Sequence, residues 1–246
     1  SLDLIQSLPG QTLQGWGHQL DQAISCDSPH ISIYDLSIEP GTVFHHQLNR
    51  GDLSLPDEDV SCDLMAVTSD RLSRAGLRRY EISNHARPGH ASRHNRVYWS
   101  GAGWWGFGMG ATSAPWGERI ARPRTREGYA AWVDEPRESE SGFGVPLDEL
   151  LLVGLRREEG VDLRTFKLRP AQIEALEQRW APFLLEGLMQ RRAGRWCLKD
   201  PEGMALSNRI LLEVVLWWER LESVAAAESS RSGHQCKVGD RPTKGD

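Results

Sequence analysis

The sequence predicts an α/β fold followed by a helical module, on three observations. Short apolar runs alternate with amphipathic stretches over residues 1–85, apolar residues recur at helical spacing over 146–222, and the 86–145 segment between them is rich in glycine, proline and aromatic side chains. Strands alternating with helices argue for right-handed parallel β/α units, since a parallel neighbour needs a crossover to bring the chain back. Three such units are too few to close an eight-stranded barrel, which takes on the order of 250 residues, so they read as one wall of an open barrel.

Residues 2–5 are a short apolar run stopped by Leu8-Pro9-Gly10, and Thr12 then stands as the N-cap of a helix striped by Leu13, Trp16, Leu20 and Ile24. Residues 31–38 follow, with Ile31 and Ile33 on one face and Tyr34, Leu36 and Ile38 on the other, the pattern of a strand covered on both sides. A second helix is expected over 57–75, led in by Pro56, striped by Val60, Leu64 and Val67, and stopped at Gly76. A third strand is expected over 77–82.

Residues 84–145 have weak periodicity and a dense aromatic group, Tyr98, Trp99, Trp104, Trp105, Phe107 and Trp116, and read as loops with short strands that pack on the barrel. The charged stretch 135–141 marks the domain boundary. Beyond it, Leu147, Leu150, Leu151 and Leu155 make one helical stripe, and Ile173, Leu176, Trp180, Leu184 and Leu188 make another. A small hairpin around Gly194 and a last helix over 206–221 complete a winged-helix-like module, 146–222. Residues 223–246 offer almost no large apolar side chain and are expected to be a disordered tail.

The balance of 29 Lys and Arg against 34 Asp and Glu is mildly acidic and disfavours a whole-protein role on nucleic acid. Arg164, Lys167, Arg169, Arg191, Arg192 and Arg195 still leave a basic patch on the helical module, and with it a nucleic-acid-binding alternative. The apolar run 211–218 is interrupted by Glu213 and falls short of the roughly 20 residues a bilayer helix needs, so no membrane span is expected. The start has no basic segment leading into an apolar stretch, and a chain opening inside a strand pattern reads as cut from a longer parent. Cys26, Cys62, Cys197 and Cys236 show none of the close spacing that metal and cluster sites use, and are expected to be reduced thiols of a cytoplasmic protein.

Four motifs carry a resemblance. Asp3-Leu-Ile-Gln-Ser-Leu-Pro-Gly-Gln-Thr12 is close to D-L-I-Y-G-L-P-x-Q-T, with Gln6 and Ser7 where Tyr and Gly are usual; Ser32 to Thr42 follows H-I-S-x-Y-x-L-x-I-E-P-G-T. Tyr80-Glu-Ile-Ser-Asn84 precedes His94-Asn95-Arg96-Val97-Tyr98, an H-N-x-x-Y, and Gly106 to Ser113 follows G-I-G-P-G-A-H-S with Thr112 in place of the histidine. Over residues 2–222 the chain resembles the C-terminal part of the HemW heme chaperones, oxygen-independent coproporphyrinogen III oxidase-like members of the radical S-adenosylmethionine (SAM) family.

The resemblance implies the last β/α units of a partial radical SAM, TIM-like barrel, and a protein that binds heme and delivers it to acceptor proteins; it leaves a homodimer open. It also implies a [4Fe-4S] cluster and SAM in the complete family protein, held through a C-x-x-x-C-x-x-C expected upstream of Asp3, so this chain is expected to be a truncated form without cluster ligands and not catalytic alone. A porphyrinogen oxidase removing propionate side chains with a SAM radical is the enzymatic alternative. His94 is the expected heme contact, neutral imidazole being a common iron ligand, with Asn95 and Tyr98 in support. Asp3 matches an aspartate that contacts SAM in the related oxidases, and otherwise caps the following loop. Arg119, Arg122, Arg124 and Arg126 either pair with porphyrin propionates, which a guanidinium fork fits, or form an exposed basic loop.

Overall fold

The computed structural model describes residues 1–115, 117–135 and 144–235. The boundary stretch 135–141 falls almost wholly outside the described residues, as do Trp116 and Cys236.

The chain opens as β1 (Leu2–Gln6), α1 (Leu13–Ser25) and β2 (His30–Asp35), and β1 and β2 pair in parallel from Leu2 opposite Ile31 to Gln6 opposite Asp35. Thr12 caps α1 by accepting from the Gly15 N–H. The short α2 (Val43–Arg50) leads to α3 (Glu58–Arg74), whose N-cap Asp57 accepts from the Val60 N–H at 2.8 Å. Trp16, Leu20, Ile31, Leu64 and Leu72 are fully buried where α1 and α3 cover one face of this sheet. Within that core the indole of Trp16 donates to Thr68 at 2.8 Å, which leaves neither group unsatisfied.

Two expectations are corrected here. The third strand is only β3 (Arg78–Arg79), and the neighbour of β2 is the antiparallel β4 (Asn84–Ala86), giving the order β1-β2-β4-β3. The cause is local: the Glu81 carboxylate accepts from the Ser83 N–H and from the Asn84 side chain, closing a turn that folds the chain back before a longer strand can form. Parallel pairing is thus confined to β1 and β2. The second face of β2 is not apolar either, since His30 and Ser32 are its buried residues and Tyr34 is 42% exposed.

After α4 (Arg93–Trp99), a two-stranded ribbon of β5 (Thr112–Ser113) and β6 (Ile120–Ala121) precedes α5 (Arg126–Asp134). The helical part comprises α6 (Leu147–Leu155), α7 (Pro170–Leu185), the hairpin β7 (Met189–Arg192) and β8 (Arg195–Leu198), the short α8 (Glu202–Ala205) and α9 (Ser207–Gln235). Leu151, Leu155, Leu176, Trp180, Ile210 and Val214 are fully buried at its centre, and Met65 of α3 joins them.

The expected tail is corrected over 223–235, where α9 continues to Gln235 rather than ending near 222, and residues 236–246 lie outside the described residues. Adding a residue to an existing helix is far easier than nucleating one, and the alanine run 225–227 has the highest helix propensity available.

Candidate functional site

The site is built around α4. Ser92 caps this helix by accepting from the Asn95 N–H at 3.3 Å, and its own N–H donates to the Tyr80 hydroxyl at 3.3 Å. His30 Nε2 lies 2.9 Å from the same hydroxyl. His30 Nδ1 in turn meets the Ser1 hydroxyl at 2.9 Å. One phenol therefore ties α4 to β2. Burial pushes Tyr80 above its ordinary value, against the Ser92 and Asn95 hydrogen bonds, and burial holds His30 below its own, with the nearby N-terminal charge acting the same way and Asp3 opposing.

His94 and Tyr98 are four residues apart and so share a face of α4. Their rings meet edge-on at 4.9 Å, and Tyr98 meets Trp104 at 4.8 Å. His94 is exposed and Tyr98 is 37% exposed, so the row forms a surface open to a planar partner. Trp104 bridges to Ala114 through two backbone hydrogen bonds and donates its indole N–H to the Thr112 carbonyl at 3.2 Å. These bonds close the base of the glycine-rich loop 106–111. A Cβ at Gly106 would lie 2.4 Å from the Thr112 carbonyl oxygen, so the loop's close approach requires glycine there.

Phe107, at the loop's crest, is 85% exposed, and the Arg122 guanidinium sits 5.7 Å from its ring and 5.1 Å from that of Trp132. Arg122 Nε and Nη1 are buried without a hydrogen-bond acceptor among the described residues. Arg119 is instead engaged by Glu149.

The opposite face of α4 roofs a cavity of about 380 Å³ lined by Tyr80, Glu81, Arg93, Arg96, Val97 and Arg157 among others. Glu81 is 1% exposed, and burial raises its carboxyl, with Asn84, Ser83 and Arg79 pulling the other way. Arg96 is paired with Glu159 at 2.6 Å.

The structure brings His94 and Tyr98 together, and places Asn95 in the cap of α4, where its backbone N–H donates to Ser92. Asp3 stands apart. It is exposed and second in β1, opposite Ser32, while Gln6 and Asp35 occupy the carboxyl ends of β1 and β2, joined at 2.8 Å. Ser7, which stands where the motif has glycine, adopts φ 62°, the left-handed region that explains the glycine. Its hydroxyl donates to Asp35 at 2.9 Å, and the side chain turns inward instead of crowding the loop. Reading the residues missed His30, whose only signal was its place at the head of the H-I-S-x-Y stretch.

No protein-family model matches the chain. In fold, 86% of the chain superposes with a TM-score of 0.59 on 54% of coproporphyrinogen III oxidase (HemN) from Escherichia coli, at 17% identity, a likeness of fold alone. The sequence is 39% identical over 236 residues to the heme chaperone HemW of Synechocystis sp., covering 86% of this chain and 57% of that protein. It is 34% identical over 176 residues to HemW of Bacillus subtilis, covering 68% and 45%. A radical S-adenosyl methionine domain-containing protein 1 from Danio rerio is 30% identical over 232 residues, covering 88% and 51%. The chain is similar to the HemW heme chaperones over most of its own length, and spans about half the length of these relatives.

Proposed function

We propose that this chain is the heme-holding part of a HemW-type chaperone, with heme as cargo on the His94–Tyr98 face of α4 and acceptor proteins as its partners. The observation that supports this best is the ring row His94, Tyr98, Trp104, built from the H-N-x-x-Y residues and left open. An imidazole can ligate the iron, and the aromatic rings suit a porphyrin face. Arg122, with two buried N–H groups lacking an acceptor beside the exposed Phe107, is suited to a propionate.

The chain's part in the fold is read as a wall of the family barrel, with α6, α7 and the β7–β8 hairpin as a winged-helix-like support. The complete family protein would add SAM and a [4Fe-4S] cluster. The residues present do not fit the cluster: Cys26 is exposed, Cys62 half-buried on α3 and Cys197 buried on β8, and among the described residues no three potential metal ligands converge. Asp3, exposed at the start of β1, stays a candidate for the SAM contact only by its motif.

The nucleic-acid alternative is not favoured. Arg164, Arg191 and Arg192 pair with Asp162, Glu177 and Glu158, and Arg195 donates to the Glu159 and Gly160 carbonyls. No helix among the described residues is long and apolar enough to cross a membrane.

The test is a heme titration of the full chain followed by Soret absorbance. Saturable binding that weakens at least tenfold in His94→Ala, and less in Tyr98→Phe, is expected. Equal binding by wild type and His94→Ala would overturn the assignment.

A further inference from the structure

A second cleft, of about 390 Å³, lies between the β3–β4 edge of the sheet and the β7–β8 hairpin. Its cationic lining is Arg78, Arg79, Arg192 and Lys199, against the carboxylates Glu158 and Asp200, so four positive charges face two negative ones and two remain in excess.

The pairing inside the cleft shows which charges are spent. The Arg79 side chain is 4% exposed; its Nε donates to Asp200 at 3.0 Å and its Nη1 to the Ile82 carbonyl at 2.5 Å, but Nη2 is buried without an acceptor. Arg192 is occupied by the Glu158 carbonyl at 2.5 Å and stands 3.7 Å from its carboxylate. Arg78 and Lys199 are exposed and have no acidic partner among the described residues. His85 also lines the cleft, is 1% exposed, and neither of its ring nitrogens is hydrogen-bonded. A buried polar group left without a partner is costly, and here two side chains, Arg79 and His85, leave such groups at one cleft.

We infer that this cleft binds a small phosphate monoester, its phosphate held between Arg78, Lys199 and the ring of His85 and its organic part against Leu77, Leu198 and Met204. A phosphate monoester carries roughly −1.5 to −2 charge near neutral pH, which matches the excess of two. It also presents several acceptor oxygens to donors that lack acceptors. Burial holds His85 well below its ordinary value, with Arg79 and His30 acting the same way, so the ring is neutral and offers one N–H to the anion. The cleft is larger than a phosphate alone requires, and the three apolar side chains supply a wall for a carbon skeleton. None of these residues belongs to the His94 face, so this site stands or falls independently of the heme reading.

Isothermal titration of the full chain at low ionic strength tests it, with phenyl phosphate, inorganic phosphate and acetate as probes. Phenyl phosphate should saturate one site, at least threefold tighter than inorganic phosphate and at least tenfold tighter than acetate. Charge reversal at the two exposed positions, Arg78→Glu with Lys199→Glu, should weaken it at least tenfold while far-UV circular dichroism stays unchanged. Independently of any variant, phenyl phosphate should shift the His85 imidazole resonances. Absence of saturable binding, acetate binding as tightly as phenyl phosphate, undiminished binding by the charge-reversed chain, or an unmoved His85 resonance would each overturn the inference. Inorganic phosphate binding as tightly as the ester would overturn the monoester assignment.

Discussion

Replacing Tyr80 by phenylalanine should loosen α4 without touching any residue that faces heme. The hydroxyl it removes is the common partner of His30 Nε2 and the Ser92 N–H, and both Tyr80 and His30 are 8% exposed. Leaving the buried His30 nitrogen without a partner costs about 1–3 kcal/mol. The more accessible Ser92 N–H can turn to water, at about 0.5 kcal/mol, so the total is roughly 1.5–3.5 kcal/mol. In a chain of this size each kcal/mol moves Tm by about 2–4 °C, which gives a fall of roughly 3–14 °C. Urea unfolding read by tryptophan fluorescence measures this directly, since Trp16 lies in one core and Trp180, Trp196 and Trp217 in the other. Heme affinity should drop as well, by about threefold to tenfold, because the helix carrying His94 loses its anchor. A stability change below about 0.5 kcal/mol with unaltered heme binding would show that the phenol does not tie α4 to β2.

Gly106→Ala places a methyl 2.4 Å from the Thr112 carbonyl and should cost about 1–3 kcal/mol by overpacking; retention of wild-type stability would mean the loop relaxes freely. At the other end of the chain, Ser7→Gly relieves a left-handed conformation worth about 1–2 kcal/mol but forfeits the bond to Asp35, so stability should change by under about 1 kcal/mol, whereas Ser7→Val should be clearly destabilising in the same thermal assay. The pH profile has opposing parts. His30 and His85 have folded values below 6.5, so their contribution is complete above 6.5 and is lost as pH falls, with a limiting slope of about 1.4 kcal/mol per pH unit for each. Glu81 is raised above 4.5, so its contribution is complete below 4.5 and is lost as pH rises through the folded value. Glu81→Gln should therefore steepen the loss of stability on acidification from 6.5 to 4.5, and an unchanged profile would refute the assignment.

Periodicity revealed the helices well because their buried faces are carried by whole stripes: Trp16 and Leu20 on α1, Leu64 and Leu72 on α3, Leu176 and Trp180 on α7 all lie in the cores. It failed for the third strand because the turn at Ile82–Ser83 is set by one buried carboxylate, Glu81, and a side chain folding back on its own backbone leaves no periodic mark. The site was half legible. His94 and Tyr98 could be placed on one face by their spacing alone, while the His30–Tyr80–Ser92 network joins residues 50 and 12 positions apart and exists only once β2 and α4 are neighbours. A motif gives order along the chain, not which position of a five-residue strand a residue such as Asp3 occupies.

Helix α3 turns Leu64 and Leu72 into one core and Met65 into the other, and Arg79, just past its end, is clasped by Asp200 from the far part of the sequence. Such a helix is a party wall. A fragment cut near residue 145 would take the C-terminal core away from one of its own faces and strand a buried guanidinium in the remainder, so the two parts should melt in a single transition. For anyone dissecting the chain, residues 146–222 are a region on paper and not a piece that can be lifted out whole.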